Sequence, residues 1–148
     1  MVDKELKGEV IKIFYKVYNA LGYGFLESVY KNAMMIELAT AGLAAEAEKQ
    51  IAVHYAGRIV GNYAADIVVN DRLIVELKAR EALSEAHEAQ LVNYLRATQI
   101  EIGLLFNFGK VPEFKRKYFS NQNKSRNSNS SENGLLAAIF QEDPFRSA

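Results

Sequence analysis

The chain has 148 residues, 49% hydrophobic and 24% charged, which suits one soluble domain with a proper apolar core. It has no cysteine and two histidines, His54 and His87, so disulfides, thiolate zinc sites and histidine-built metal centres are excluded. Net charge is zero, no run nears the roughly 18 to 20 apolar residues of a membrane span, and no signal-peptide core opens the chain, so a cytoplasmic protein without membrane attachment is expected.

From about Asp3 to Leu21 the apolar residues Leu6, Val10, Phe14, Val17 and Leu21 recur at helical spacing. Gly22-Tyr23-Gly24 breaks the pattern, and a second helix runs from about Leu26 to Ala41, with Gly42 as its stop. Gln50 to Tyr55 reads as a strand and Ala56-Gly57 as a turn. Arg58 to Val69 is a long extended stretch, followed by a turn at Asn70-Asp71 and a strand from Leu73 to Lys78. Ser84 is placed to cap a helix running to about Ala97, with Glu85 and Glu88 in its first turns, where acids suit the helix dipole. Ile102 to Phe106 has the composition of a strand buried on both faces. Pro112 opens a basic segment ending near Phe119, which is expected to be helical.

At Ser120 the composition changes abruptly to Ser, Asn, Gln, Lys and Arg, and stays so until Asn133. Residues 1–119 are therefore the expected domain, 120–133 a flexible polar linker and 134–148 a tail. Within the tail, apolar Gly134 to Phe140 is either a short docking helix or frayed. Lys110, Lys115, Arg116, Lys117, Lys124 and Arg126 stand against one acid, Glu113. They form either a local phosphate-binding strip in a neutral protein or a solubilising end to the fold. Three sequential strands joined by short turns should be antiparallel, while a last strand arriving after a helix is free to pair in parallel. The expected fold class is α/β, a mixed central β-sheet flanked by helices.

Chemistry is expected from Asp66 and from Glu76-Leu77-Lys78 at the end of the apolar run Leu73-Ile74-Val75. Two acids and a lysine can hold a divalent metal beside a fixed cation, the minimum set for hydrolysing a phosphodiester. Glu-x-Lys on a strand is also an ordinary solvated face. Alternation puts Glu76 and Lys78 on one face of their strand. A two-residue turn at Asn70-Asp71 would pair Asp66 with Val75 and aim the acids apart. A three-residue connection, Asn70-Asp71-Arg72, or a bulge would set Asp66 opposite Glu76, so the metal site demands one of these. In that register Asp66, Glu76 and the backbone carbonyl of Leu77 are the expected oxygen ligands of magnesium or manganese. Lys78 would orient a water or stabilise charge on the phosphate.

Glu27 and Tyr30 lie three apart in Gly24-Phe25-Leu26-Glu27-Ser28-Val29-Tyr30, on one face of the second helix. There Glu27 serves either the site or simply the helix N-terminus. His87, Gln90 and Tyr94 form a polar stripe that faces either the site or water.

Together these residues resemble the GxxExxY protein family, a branch of the PD-(D/E)xK nuclease superfamily. The likeness runs from about Glu5 to Phe119. It takes in Gly24, Glu27 and Tyr30, then Asp66, Glu76-x-Lys78, the segment His87 to Leu95, and Gly103 to Gly109. It implies a restriction-endonuclease-like core in which Asp66, Glu76 and Lys78 correspond to the superfamily's acids and lysine. It further implies that Glu27 completes the metal site and that Gln90 and Tyr94 form a Gln-x3-Tyr element near the catalytic centre. One departure is the stretch Tyr63-Ala64-Ala65-Asp66, which lacks the arginine often found shortly before the first acid and so loses a phosphate contact. The resemblance implies a magnesium- or manganese-dependent nuclease acting on DNA or RNA. It also points to a homodimer, because one small domain covers little of a duplex. The alternative is a catalytically silent module of the same fold that binds nucleic acid or a protein partner.

Overall fold

The helical stripe at the start of the chain becomes α1 (Asp3–Leu21), which buries Leu6, Val10, Ile13, Phe14 and Val17. In the structure, a computed structural model that describes residues 1–124, it is followed by α2 (Glu27–Thr40), β1 (Ala45–Tyr55), β2 (Arg58–Val69), β3 (Leu73–Lys78), α3 (Glu85–Arg96), β4 (Ile102–Phe108) and β5 (Pro112–Tyr118). The five strands form one sheet in the order β1-β2-β3-β4-β5. All neighbours are antiparallel except β3 and β4, which are parallel. A parallel pair needs a crossover, and α3 provides it. The fold is therefore the expected α/β arrangement, a mixed central sheet flanked by helices.

The two faces of the sheet carry separate cores. Leu91 and Leu95 of α3 pack with Val68, Ile74 and Leu105 on one face. On the other, α1 and α2 pack on Ile67, Val69, Val75, Leu77, Leu104, Phe106 and Phe108. Aromatic rings fill this second core: Phe14 stacks on Phe106 with centroids 4.3 Å apart, and Tyr30 on Phe108 at 4.0 Å. Burying rings of this size contributes about 1.5–3 kcal/mol each. β4 is buried along its whole length, because it lies between both helical layers.

Side-chain alternation resets where the site will form. Ile67 and Val69 face α1 and α2, yet Tyr63 and Ala65, of the same parity on β2, pack on the α3 side. β1 switches at the same level, with Ala45 on one core and Ile51 on the other. Between the pairs Ala47↔Ile67 and Lys49↔Ala65 stand Glu48 and Asp66, and Glu48 has φ +57°. A left-handed residue inside a strand breaks the period of two, so the chain presents opposite faces on either side of it.

Two expectations are corrected. Pro112 to about Phe119 is not helical but is strand β5, antiparallel to β4. Phe114 pairs with Phe106 and packs on the aromatic core, while Lys115 and Arg116 face solvent. Proline is tolerated at the first position of an edge strand, and charges there discourage pairing with other chains. β1 begins at Ala45 rather than Gln50, because its polar first half, Glu46 to Lys49, is held by pairing with β2 rather than by burial. Of the expected linker, Asn121–Asn123 form a 3₁₀ turn, and Asn121 N–H donates to Glu101 Oε2 (2.8 Å). Residues 125–133 of the expected linker and the tail 134–148 lie outside the described residues.

Candidate functional site

The β2–β3 connection has the three-residue form that the metal site requires. Val69 pairs with Leu73, Val68 with Ile74 and Ile67 with Val75, leaving Asn70, Asp71 and Arg72 as the loop. Asn70 and Asp71 both sit at φ +54°, which these short polar side chains tolerate better than most. The same register places Asp66 level with Glu76.

At that level the backbone ladder ends and side chains replace it. Glu76 Oε2 accepts the Asp66 N–H (2.9 Å), and Asp66 Oδ2 accepts the Leu77 N–H (2.8 Å). Each carboxylate thus satisfies a backbone donor that the parting strands would otherwise strand without a partner. Glu76 is 5% exposed, whereas Asp66 is half-buried. Burial, and then the charge of Asp66, push the Glu76 carboxyl up to about 8. Burial also raises Asp66, with a smaller push from Glu27. The Leu77 N–H, Lys31 and Lys78 oppose that rise. Two desolvated acids so close cannot both ionise cheaply without a cation.

An open cleft of about 230 Å³ lies in front of Asp66, lined by Glu27, Ser28, Lys31, Asp66 and Leu77. Glu27 enters it from the first turn of α2. Its Oε2 accepts the Ala79 N–H (3.2 Å) and lies 4.0 Å from Arg80 Nε, so Glu27 also ties α2 to the end of β3. Tyr30 is buried and holds the preceding loop: its hydroxyl donates to Gly22 O (2.8 Å) and accepts from Phe25 N–H (3.2 Å). Gly24 in that loop has φ +109°, a conformation open to glycine and little else. Within the Gly24, Glu27, Tyr30 motif, only Glu27 lines the cleft.

Lys78 is half-buried, and its charge acts on both acids. Tyr94 is half-buried on α3, bonds Gln90, and is pushed up to about 12 by burial and then by Glu76 and Asp66. Gln90 is exposed. His87 is used locally: Ser84 N–H donates to His87 Nδ1 (3.1 Å) and His87 N–H to Ser84 Oγ (3.3 Å), a reciprocal cap on α3. Of the basic strip, Lys117 pairs with Glu88 at 2.6 Å and Lys124 Nζ donates to Thr98 O (2.9 Å) and Ile100 O (2.6 Å), so part of it is spent on the fold.

Three further residues shape the site. Lys31, one helical turn after Glu27, brings a cation into the cleft and pairs with Glu48. Asn107 is fully buried opposite Lys78: its Oδ1 accepts Arg80 N–H and its Nδ2 donates to Arg80 O, both 2.9 Å, fixing the chain as it leaves β3. A polar residue inside the apolar run Gly103 to Phe108 was the signal for it. Tyr63 stacks on Tyr94 at 3.6 Å, and its buried hydroxyl has no hydrogen-bond partner among the described residues.

Among the described residues no three His, Cys, Asp or Glu side chains are grouped to hold a metal ion. Asp66 and Glu76 nevertheless suit a hard divalent cation. Magnesium is commonly bound by one or two carboxylates plus waters and substrate phosphate, and each acid keeps one oxygen outside the backbone bonds above.

No curated protein matches the chain. Among solved structures it is similar to the crystal structure of SSO0001, with a TM-score of 0.53 and 14% identity over 79% of this chain. The likeness covers 59% of that protein, so this chain spans less than two thirds of it, and it bears on the fold alone. Among the described residues no helix is long and apolar enough to cross a membrane. The profile of the PD-(D/E)XK nuclease superfamily matches residues 4–118, which takes in both helical layers, all five strands and the Asp66–Glu76 junction; the chain belongs to that superfamily.

Proposed function

We propose that the protein is a magnesium- or manganese-dependent nuclease of the GxxExxY branch, hydrolysing phosphodiester bonds of DNA or RNA. The observation that carries this reading is the junction of Asp66 and Glu76 at the point where β2 and β3 part, with Lys78 acting on both. Asp66 and Glu76 would hold the ion, with the Leu77 carbonyl as a further oxygen and Glu27 across the cleft. When bound, such an ion supplies charge neutralisation at the phosphate and a more acidic water. Asp66 faces the cleft and orients the attacking water on that side. Glu76, behind it, holds the Asp66 backbone in place. Lys78 stabilises the charge that develops on the phosphate oxygens, and Tyr94 with Gln90 borders the site from α3. An intracellular, nucleic-acid-bound protein acting as a homodimer belongs to the same proposal, and sedimentation of a monomer at high concentration would remove the dimer.

The second reading is a silent module that binds nucleic acid or a protein partner. It is favoured by one observation: both central acids already serve backbone donors and no third joins them among the described residues. One experiment separates the two. Labelled single- and double-stranded DNA and RNA are incubated with magnesium or manganese, wild type beside Asp66→Asn. Cleavage abolished by the variant and by chelator is the expected result. Nucleic-acid binding that persists unchanged in chelator, without cleavage, would favour the silent module.

A further inference from the structure

We infer that Lys31 is a substrate-phosphate anchor of this cleft, held ready by Glu48; the inference rests on the nucleic-acid reading above. Lys31 stands four residues after Glu27 on α2, so both side chains project from one face of the helix. It lines the cleft together with Glu27, Ser28, Asp66 and Leu77. The segment Tyr63-Ala64-Ala65 leading to Asp66 brings no cation to this side of the cleft. Lys31 brings one from the helix instead.

Glu48 supplies the second observation. It is the residue of β1 that stands level with Asp66, and it occupies a left-handed conformation in the interior of a strand. A glutamate adopts that backbone at a cost, and such outliers gather where the surroundings demand a particular side-chain direction. Here the consequence is an ion pair with Lys31, whose side chain is 21% exposed while that of Glu48 is 52% exposed. An exposed pair of this kind contributes little to stability. It does fix the direction of an ammonium that lines the cleft. A phosphodiester oxygen entering the cleft then meets a pre-oriented donor, and charge-assisted bonds of this type are the strong ones. Glu48 is a positioning residue in this arrangement, and Lys31 the group that touches the substrate.

The test is binding of a fluorescein-labelled single-stranded oligothymidylate and of a labelled duplex, by anisotropy, in calcium and over a range of salt. Lys31→Met should weaken binding about tenfold. It should also flatten the log–log salt dependence by about one released counterion, roughly 0.7 for the single strand and 0.9 for the duplex. Lys31→Arg should restore both. Glu48→Gln, which leaves the ammonium without a fixed direction, should weaken binding by less than Lys31→Met does, with the slope unchanged. A slope unmoved by Lys31→Met, or Glu48→Gln weakening binding as much as Lys31→Met, would overturn the inference and make the pair structural. Manganese binding tightened by Lys31→Met with oligonucleotide binding unaltered would overturn it too, since Lys31 would then be standing in for the ion. Cleavage is scored separately. Expected slopes without cleavage leave Lys31 as the anchor and sink the nuclease reading, whereas cleavage with an unmoved slope sinks the anchor alone.

Discussion

β2 and β3 are bound together by one set of rules at their hairpin end and by another, one residue beyond Ile67 and Val75. From Val69–Leu73 to Ile67–Val75 the backbone ladder is complete and every side chain is apolar and buried. At Asp66 and Glu76 carboxylates take over the backbone donors, and both acids are held above their ordinary range. The first end follows the pattern that gives stability. The second departs from it, and departures without a compensating gain in packing are expected at functional sites. Charge is placed here in a position the fold tolerates because the same oxygens satisfy N–H groups.

Substitutions at the two ends should separate stability from activity. Leu73→Ala, at the fully buried hairpin end, should lower unfolding free energy by about 2–5 kcal/mol in urea titrations, with cleavage by the folded fraction retained. Asp66→Asn keeps an acceptor for the Leu77 N–H, so its stability should change by less than about 1 kcal/mol while kcat falls about 10²–10³-fold. Comparable losses of stability from both variants would erase the distinction.

The raised Glu76 carboxyl gives the comparison a pH signature. Its folded value lies above its unfolded one, so the native state binds the proton more tightly. The associated stability is complete below about 4.5 and is lost as pH rises towards about 8. Urea midpoints without divalent ions should therefore fall across that window. Added manganese should flatten the fall, because it stabilises the ionised pair. A midpoint insensitive to pH would mean that Glu76 is already ionised in the apo protein. The smallest effect belongs to Tyr63→Phe. Removing a buried hydroxyl without a protein partner should raise stability by about 1 kcal/mol, and a loss of stability would show that the hydroxyl is satisfied.

Much of this was legible in the residues, for identifiable reasons. The apolar periodicity of α1, the Ser84 cap and the apolar run Ile102 to Phe106 are local signals, and the elements formed where they indicated, with β4 continuing through Asn107 to Phe108. The three-residue Asn70–Arg72 loop is one of the two forms, with a bulge, that a metal site at Asp66 and Glu76 demanded; the residues themselves left a two-residue turn open. Pro112 misled, because a proline followed by Lys115-Arg116-Lys117 suits a helix start as well as a charged edge strand. The partner strand β4 decided between them. Lys31 could have been found from its four-residue spacing to Glu27 on α2, whereas its pairing with Glu48 rests on a left-handed residue inside a strand, a feature without a composition signal. Asn107 could have been found, since nothing but a specific partner explains an amide in the middle of Leu104-Leu105-Phe106 and Phe108.

Whether Asp66 and Glu76 form a divalent-cation site is decided by calorimetric titration of the wild type and Asp66→Asn with manganese. Saturable binding by the wild type, lost in a variant of unchanged fold, is the expected result. No binding by the wild type, or equal binding by both proteins, would contradict it.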